Sequence, residues 1–485
     1  SKMISDFGRT RQGMATSDNN RFLRLWHEVK INNIEFESDG VIFSKSKWFP
    51  YNKGGGFRKW YGTSAHVINW EHDGKEVKAY AASLYGSYTR TIKNINEYFK
   101  EAIAWPYITS GNRFGARFQP KGFIFDVAGS SLFTSKDYMF YLCGLLSSKL
   151  VIKFMRIINP TMNYQVGDIA KIPVIYDVKY AEVINTLVQE NIFIAKADWD
   201  SFETSWDFKR HPLTKNKSCL IKSYEEWNSI CQNRFNTVKS NEEQLNSIFI
   251  EIYKMQDEIS FEVDDDLITL YISNCETDIK SFISYAVGCI FGRYSLDVDG
   301  LAYAGGKWDS SKYTTFIPDN DNVIPITDEE YFKDDIVGLF VAFVKKVYGI
   351  ETLEENLDFI AKALGNKGDT SREVIRNYFV KDFIKDHIKT YQKRPIYWLY
   401  DSGKQDGFKA LIYMHRYNID TTGIVRVDYL HKMQRIYMSE IERMQDMAEN
   451  STQAREIAQA EKRKEKLIKQ LKETKEYDEK IAHIA

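Results

Sequence analysis

KDYMFYLCGLLSSKLVIKFMRII occupies residues 136–158, and NPTMNYQVGDIAKIPV follows it at 159–174. The first stretch sets large apolar residues at 138, 141, 142, 145 and 146, the spacing of a helix with one buried face. Asn159-Pro160-Thr161 ends it, because proline lacks the N–H that continues a helix and pushes the residue before it towards extended backbone. The chain differs on the two sides of this helix. Upstream, over 1–135, short aromatic and β-branched runs (Val41–Phe43, Val67–Trp70, Gly122–Val127) alternate with Gly, Asn, Asp and Ser, the pattern of strands joined by loops. Downstream, helical periodicity covers 176–200 and 223–260, where Phe235, Val238, Leu245, Ile248 and Ile252 recur on one face. Helix and loop alternate over 263–350, and several short helices follow over 351–390. A short strand or helix lies around Ile396–Leu399, and one or two long helices fill 424–480. In the last of these Lys and Glu alternate and apolar residues are sparse, as in a solvated or coiled-coil-like helix.

The expected fold class is therefore α+β. A mixed α/β N-terminal domain spans 1–175, a helical connector 176–262, a mostly helical domain 263–423, and long terminal helices 424–485. At 485 residues the chain has room for about three domains of ~150 residues. Its 43% hydrophobic and 27% charged residues exclude a disordered or collagen-like chain. The five cysteines are an odd number, lie far apart and include no CxxC pair, which suits a reducing cytoplasm and argues against a disulfide framework or a zinc site. The uncharged apolar run between Asp137 and Lys149 falls short of the ~20 residues that span a bilayer, so no membrane partner is expected.

The formal net charge of −1 conceals an asymmetry. Residues 1–175 hold 24 Lys+Arg against 14 Asp+Glu, and the rest hold 42 against 53. A basic first third is a candidate polyanion surface. Its densest segment is KWFPYNKGGGFRKW at 47–60. There Lys47, Lys53, Arg58 and Lys59, with Lys45 just before, surround five aromatic rings, Asn52 and a Gly54–Gly56 core. Basic residues among aromatics suit a nucleic-acid groove, and glycines can aim N–H groups at an anion. The alternative is a β-hairpin with a structural glycine turn. A second cluster, Ser110 to Phe118, carries Arg113 and Arg117, and Arg is the usual bidentate reader of guanine. Its alternative is a pair of arginines on an edge strand. A third, Gly8 to Arg24, carries Arg9, Arg11, Arg21 and Arg24 around Ser17 and Asp18, whose favoured role is to cap a helix entering at Asn20.

The chain has no GxSxG, HExxH, Walker A or strand–GxGxxG–helix pattern, and its eight histidines lack zinc spacing. The acidic runs Asp264–Asp266 and Asp334-Asp335 read as solvated faces in preference to Mg²⁺ sites. Asp319 to Asn322 starts like a calcium loop but lacks its Gly and closing Glu. The residues thus name no catalytic, cofactor-binding or metal-binding group.

Four stretches, QGMATSDNNRFLRLWHEV (12–29), KWFPYNKGGGFRKWYG (47–62), PKGFIFDVAGSSLF (120–133) and NPTMNYQVGDIAKIPV (159–174), resemble the target-recognition region of PglX-type adenine-specific DNA methyltransferases of bacterial BREX phage-defence systems. SFISYAVGCIFGRYSLDVDGLAYAGG (281–306) and YQKRPIYWLYDSGKQDGFKALIYMHRY (391–417) are similar to the helical C-terminal region of the same proteins. The resemblance implies sequence-specific recognition of double-stranded DNA in host-DNA marking and phage defence. In that family a methyl group passes from S-adenosylmethionine to a flipped-out adenine held by an Asn-Pro-Pro-Tyr motif. Only nine prolines occur here and no two are adjacent. The resemblance therefore implies a C-terminal portion, inactive alone, whose methyltransferase domain and cofactor are supplied in cis or in trans. Other BREX components or a phage DNA mimic are further partners it implies. Lys121, Asn163 and Gln165 join the candidate DNA contacts, with fixing the turn after the helix as the alternative for the last two. The competing reading of the whole chain is a protein-interaction scaffold with only non-specific DNA contact.

Overall fold

The computed structural model describes residues 2–40, 45–109, 113–159, 161, 163–215 and 218–484. The Val41–Phe43 run, Pro160 and the Ser110–Asn112 start of the second arginine cluster lie outside the described residues. The fold is mixed α and β, and two compact units divide the chain. One comprises Ser1–Phe208 with Trp227–Ser273, the other Lys209–Glu226 with Asn274–Ala485.

Two four-stranded sheets build the first unit. One is antiparallel throughout, in the order Gly8–Arg11, Ser131–Thr134, Ala102–Ala104, Arg117–Gln119. The other runs Leu23–Leu25, His66–Asn69, Trp48–Asn52, Ile124–Phe125, and its last pair is parallel. All five residues of Trp48–Asn52 are buried, which is why this strand reads as a continuous apolar run without alternation. A helix at Glu71–Tyr85 packs Val77 and Ala81 onto this second sheet. Its buried stripe is too thin to register as a period. It also begins with His72, Asp73 and Gly74 in the left-handed region, at φ 52, 57 and 69°.

The stretch 136–158 forms two helices, Lys136–Ser147 and Lys149–Ile158, where the sequence pattern gave one. The break is Ser148, extended at ψ 157°. Its hydroxyl donates to the Leu145 carbonyl at 2.7 Å, and Asn246 Oδ1 accepts the Lys149 N–H at 3.0 Å. Asp18 does cap a short helix, its carboxylate accepting the Arg21 N–H.

Val178–Trp199 and Leu220–Ile252 (from Trp227 on) pack onto these helices. Ile184, Val188 and Phe249 share one core with Leu142, Leu145 and Leu146 and with Ile103 and Leu132 of the first sheet. Each such side chain contributes roughly 1.5–3 kcal/mol when fully buried. The second of these helices ends short of the expected 260, where Lys254 turns left-handed at φ 54°. Because these acid-rich helices share the core of the basic first third, the first unit as a whole carries 29 Lys+Arg and 30 Asp+Glu. The second carries 37 of each.

The second unit is mostly helical: Cys275–Phe291, Ile336–Tyr348, Leu353–Ala363, Ser371–Lys381 and Phe383–Thr390. A small antiparallel sheet accompanies them, ordered Ile324–Pro325, Lys409–Tyr413, Tyr397–Asp401. The stretch around Ile396–Leu399 is thus a strand. Two long helices, His431–Asn450 and Ala454–Ile481, pack through Met433, Tyr437 and Met444 against Ala460 and Leu467, so the sparse apolar residues form the seam. No described helix is long and apolar enough to cross a membrane.

Of the two acidic runs, Asp264–Asp266 is the exposed face expected of it, and Asp334-Asp335 departs from that expectation at Asp335. Asp335 is fully buried, caps Ile336–Tyr348, and receives both terminal nitrogens of Arg376 at 2.7 and 2.8 Å. Asp265 and Asp266 pair with Lys239 and Arg113, each at 2.7 Å.

Candidate functional site

The strand Trp48–Asn52 delivers the chain into the glycine loop. Asn52 is buried and anchors the entry: its Nδ2 donates to Gln119 Oε1 at 2.6 Å, and its Oδ1 accepts the Gly54 N–H at 3.0 Å. Gly54 and Gly55 follow at φ 85° and 98°. A Cβ on Gly54 would come within 2.3 Å of the Ala128 carbonyl oxygen, so no other residue fits there.

Behind the loop lies Arg117. It is 2% exposed, and its terminal nitrogens donate to the carbonyls of Gly54 (2.8 Å) and Gly56 (3.1 Å). Burial, with a smaller contribution from Arg58, pushes its guanidinium down to about 10. Lys53 Nζ meets Asp126 at 2.6 Å, and the Tyr51 hydroxyl donates to the same carboxylate oxygen at 2.7 Å.

The exit from the loop is tied to the helical half of the unit. Arg58 donates to the Tyr61 carbonyl at 2.7 Å and to Asp198 at 3.1 Å, and lies over Trp199. Lys59 is buried: its Nζ meets Glu242 Oε2 at 2.5 Å, while Trp60 Nε1 donates to the other oxygen at 2.8 Å. Arg113 pairs with Asp266 and lies 5.9 Å from the Phe57 ring.

The candidate DNA contacts therefore divide into three groups. Asn52, Lys59 and Arg117 form the interior of the loop and are not part of its surface. Arg9 (on Glu97, 2.8 Å), Arg21 (on Glu76, 2.8 Å), Lys53, Arg58 and Arg113 keep partial exposure but each already holds a carboxylate. Lys45, Lys47, Arg11, Arg24 and Lys121 make no ion pair with a described residue. Of these, Arg24 and Lys47 lie 5.7 and 5.9 Å from the Trp48 ring, and Arg24 also donates to the Asn20 and Leu23 carbonyls. The result is one basic–aromatic cluster at Trp48 and a glycine loop with Lys53 and Arg113 at its margins. Asn163 lies in the turn after the helix, where its backbone bonds Asn159 and Thr161. Gln165 is exposed ahead of the short helix Val166–Ile169.

The carboxylates that hold these cations were not visible as partners in the sequence. Glu242 lies 183 residues from Lys59 and Asp198 lies 140 from Arg58, and no local pattern links them. A second feature, whose members the sequence showed only as two separate acidic segments, belongs to the other unit. Asp319, Asp321 and Asp334 bring carboxylate oxygens within 4.8 Å of one another. The Tyr429 hydroxyl lies 2.7 Å from Asp321 and 2.5 Å from Asp334. Burial and the Asp321 charge push the Asp319 carboxyl up to about 7. A cavity of about 770 Å³ adjoins Asp319 and Asp321, walled by Tyr303, Trp308 and Tyr313. Arg416, 4.7 Å over Trp308, donates to the Asp319 and Asn320 carbonyls beside it.

No family model matches the chain. Two curated proteins are similar to it over almost its whole length. The adenine-specific methyltransferase PglX of Lacticaseibacillus casei (strain Zhang) is 42% identical over 98% of the chain. The adenine-specific methyltransferase BrxX of Escherichia coli O9:H4 (strain HS) is 35% identical over 96%. In both cases the chain spans 40% of the length of the relative it matches.

Proposed function

We propose that this chain is the DNA-recognition part of an adenine-specific DNA methyltransferase, corresponding to the target-recognition and helical regions of a longer enzyme. The observation that carries this reading is the 42% identity, across 98% of the chain, with a protein named an adenine-specific methyltransferase. The geometry supports it with the basic cluster at Trp48 and the glycine loop, both on the sheet-bearing unit. The chain has no adjacent prolines, so the adenine-holding Asn-Pro-Pro-Tyr motif would come from a partner domain, as would S-adenosylmethionine. In this arrangement Lys45, Lys47, Arg24 and Lys121 contact phosphates and fix register, and the methyltransferase domain extrudes and methylates the adenine.

Fluorescence anisotropy with a labelled duplex at two ionic strengths tests the proposal. Binding at low salt that weakens steeply as salt rises is the expected result, since phosphate contacts release counterions. No binding at low salt, or binding indifferent to salt, refutes it. Methyl transfer from labelled S-adenosylmethionine is expected only after a methyltransferase domain is added. Robust transfer by the chain alone would overturn the assignment of chemistry to a partner.

A further inference from the structure

We propose that the Gly54–Phe57 loop is a backbone clamp for one phosphate of the DNA, and that buried Arg117 sets its geometry from behind without touching the DNA. The inference rests on the reading of this chain as a DNA-binding part, and it names a contact made by main chain where basic side chains would be the first guess.

The argument begins with the peptide plane. Arg117 draws two carbonyls to one guanidinium, those of Gly54 and Gly56. No cis peptide bond occurs among the described residues, and in a trans peptide the C=O and the following N–H point in opposite directions. The N–H groups of Gly55 and Phe57 are therefore directed away from Arg117. Gly55 and Gly56 are exposed, and neither the Gly55 nor the Phe57 amide has a described backbone partner. Gly54 and Gly55 are both at positive φ, the kind of backbone in which successive amides can form an anion-binding concavity, and in the proposed clamp the Gly55 and Phe57 amides form the rim of one.

The charge argument is independent of the first. Arg117 is a cation with 2% exposure and no carboxylate among its contacts. The two peptide dipoles have their negative ends on this cation and their positive ends at the rim, so they relay its potential outward. An anion at the rim is the ligand that completes the arrangement. Two N–H donors two residues apart suit two oxygens of one phosphate, and such charge-assisted bonds are about twice as strong as neutral ones. Arg113 stands beside the Phe57 ring, at the edge of the same rim.

The decisive variant is Gly56→Asp. A Cβ at Gly56 meets nothing within 4 Å and the residue is not left-handed, so the fold accepts it. Its carboxylate would stand where the phosphate sits. Gly423→Asp in the second unit, equally open, is the control for one added negative charge. Duplex affinity at low salt should fall at least about tenfold in Gly56→Asp, because like charges in contact are strongly disfavoured, and stay unchanged in Gly423→Asp. If the two variants match, the clamp is wrong and wild-type binding still stands. If the wild-type chain fails to bind duplex at low salt, both the clamp and the DNA reading fall.

Arg117 is a positioning residue and needs its own readout. In chain labelled with ¹⁵N-phenylalanine, the Phe57 amide signal (assigned by its loss in Phe57→Leu) should shift on adding duplex. In Arg117→Lys, whose single nitrogen cannot reproduce the fixed two-nitrogen fork that spaces the carbonyls, that shift should vanish while the melting temperature stays within a few degrees of wild type. A Phe57 amide that ignores duplex overturns the clamp, and a full shift in Arg117→Lys overturns the role of Arg117.

Discussion

Replacing Glu242 by Ala should be among the most damaging single changes in the first unit. Lys59 and Glu242 are 6% and 4% exposed, and the carboxylate also accepts the Trp60 indole N–H. Truncation leaves an ammonium and an indole N–H inside the protein with no acceptor. Breaking a buried pair from one side costs about 3–5 kcal/mol. For a unit of this size each kcal/mol moves the midpoint by roughly 2–4 °C, so thermal unfolding followed by tryptophan fluorescence should drop by roughly 6–20 °C. The double change Lys59→Met with Glu242→Leu removes both charges and should recover most of the loss, because desolvation of the remaining ion is what makes the single change costly. A loss under about 1 kcal/mol in Glu242→Ala, within the spread of ordinary surface changes, refutes the reasoning. So does a double variant as unstable as the single one.

Three further outcomes are expected. Asp335→Ala removes a helix cap and strands Arg376, and urea denaturation should show a loss of at least about 3 kcal/mol, whereas a loss typical of an exposed cap alone (about 1 kcal/mol) would mean that the ion pair is inert. Burial pushes His211 and His387 down to about 3. The unfolded chain protonates them near 6.5, so stability is lost as pH falls from about 6.5 towards 3, by about 1.4 kcal/mol per pH unit for each. His387 Nε2 accepts the Ile396 and Tyr397 N–H groups, a role a glutamine oxygen can take over, so His387→Gln should flatten the melting temperature between pH 6 and 4, and an unchanged slope would show that His387 does not titrate as assigned. Asp319 has the opposite sign. Its carboxyl is raised to about 7, so the folded state holds the extra proton and this contribution is lost as pH rises through 7. Asp319→Asn should therefore raise the melting temperature at pH 8 more than at pH 4, and equal effects at both would contradict it.

The local features of this protein are legible in its sequence and the long-range ones are not. Val178–Trp199 follows from its helical pattern, Ala454–Ile481 from its alternating Lys and Glu, and the cap at Asp18 from its residue type. The helix Glu71–Tyr85 escapes notice because its packed apolar stripe is short, Val77 and Ala81 with the half-buried Tyr80. The glycine loop at 54–56 is legible as a special backbone, but not its dependence on Arg117, 63 residues away. The same holds for charge. A surplus of Lys and Arg before residue 175 is a fact of composition, but whether a cation faces solvent depends on acids brought from far along the chain. Lys59 and Arg58 face Glu242 and Asp198, and Lys153 bonds Glu258.

That internal neutralisation bears on how the chain meets its ligand. A unit with 29 positive and 30 negative side chains presents little net field beyond a Debye length of about 8 Å at physiological salt. Long-range electrostatic steering, which lifts encounter rates to about 10⁸–10⁹ M⁻¹s⁻¹, is then weak, and under the proposed DNA reading the expected association rate with a duplex is near the unsteered 10⁵–10⁶ M⁻¹s⁻¹. Stopped-flow mixing can read this directly. For the DNA reader proposed above, engagement of the duplex would then rest on short-range contacts at the Trp48 cluster and the glycine loop more than on a long-range field.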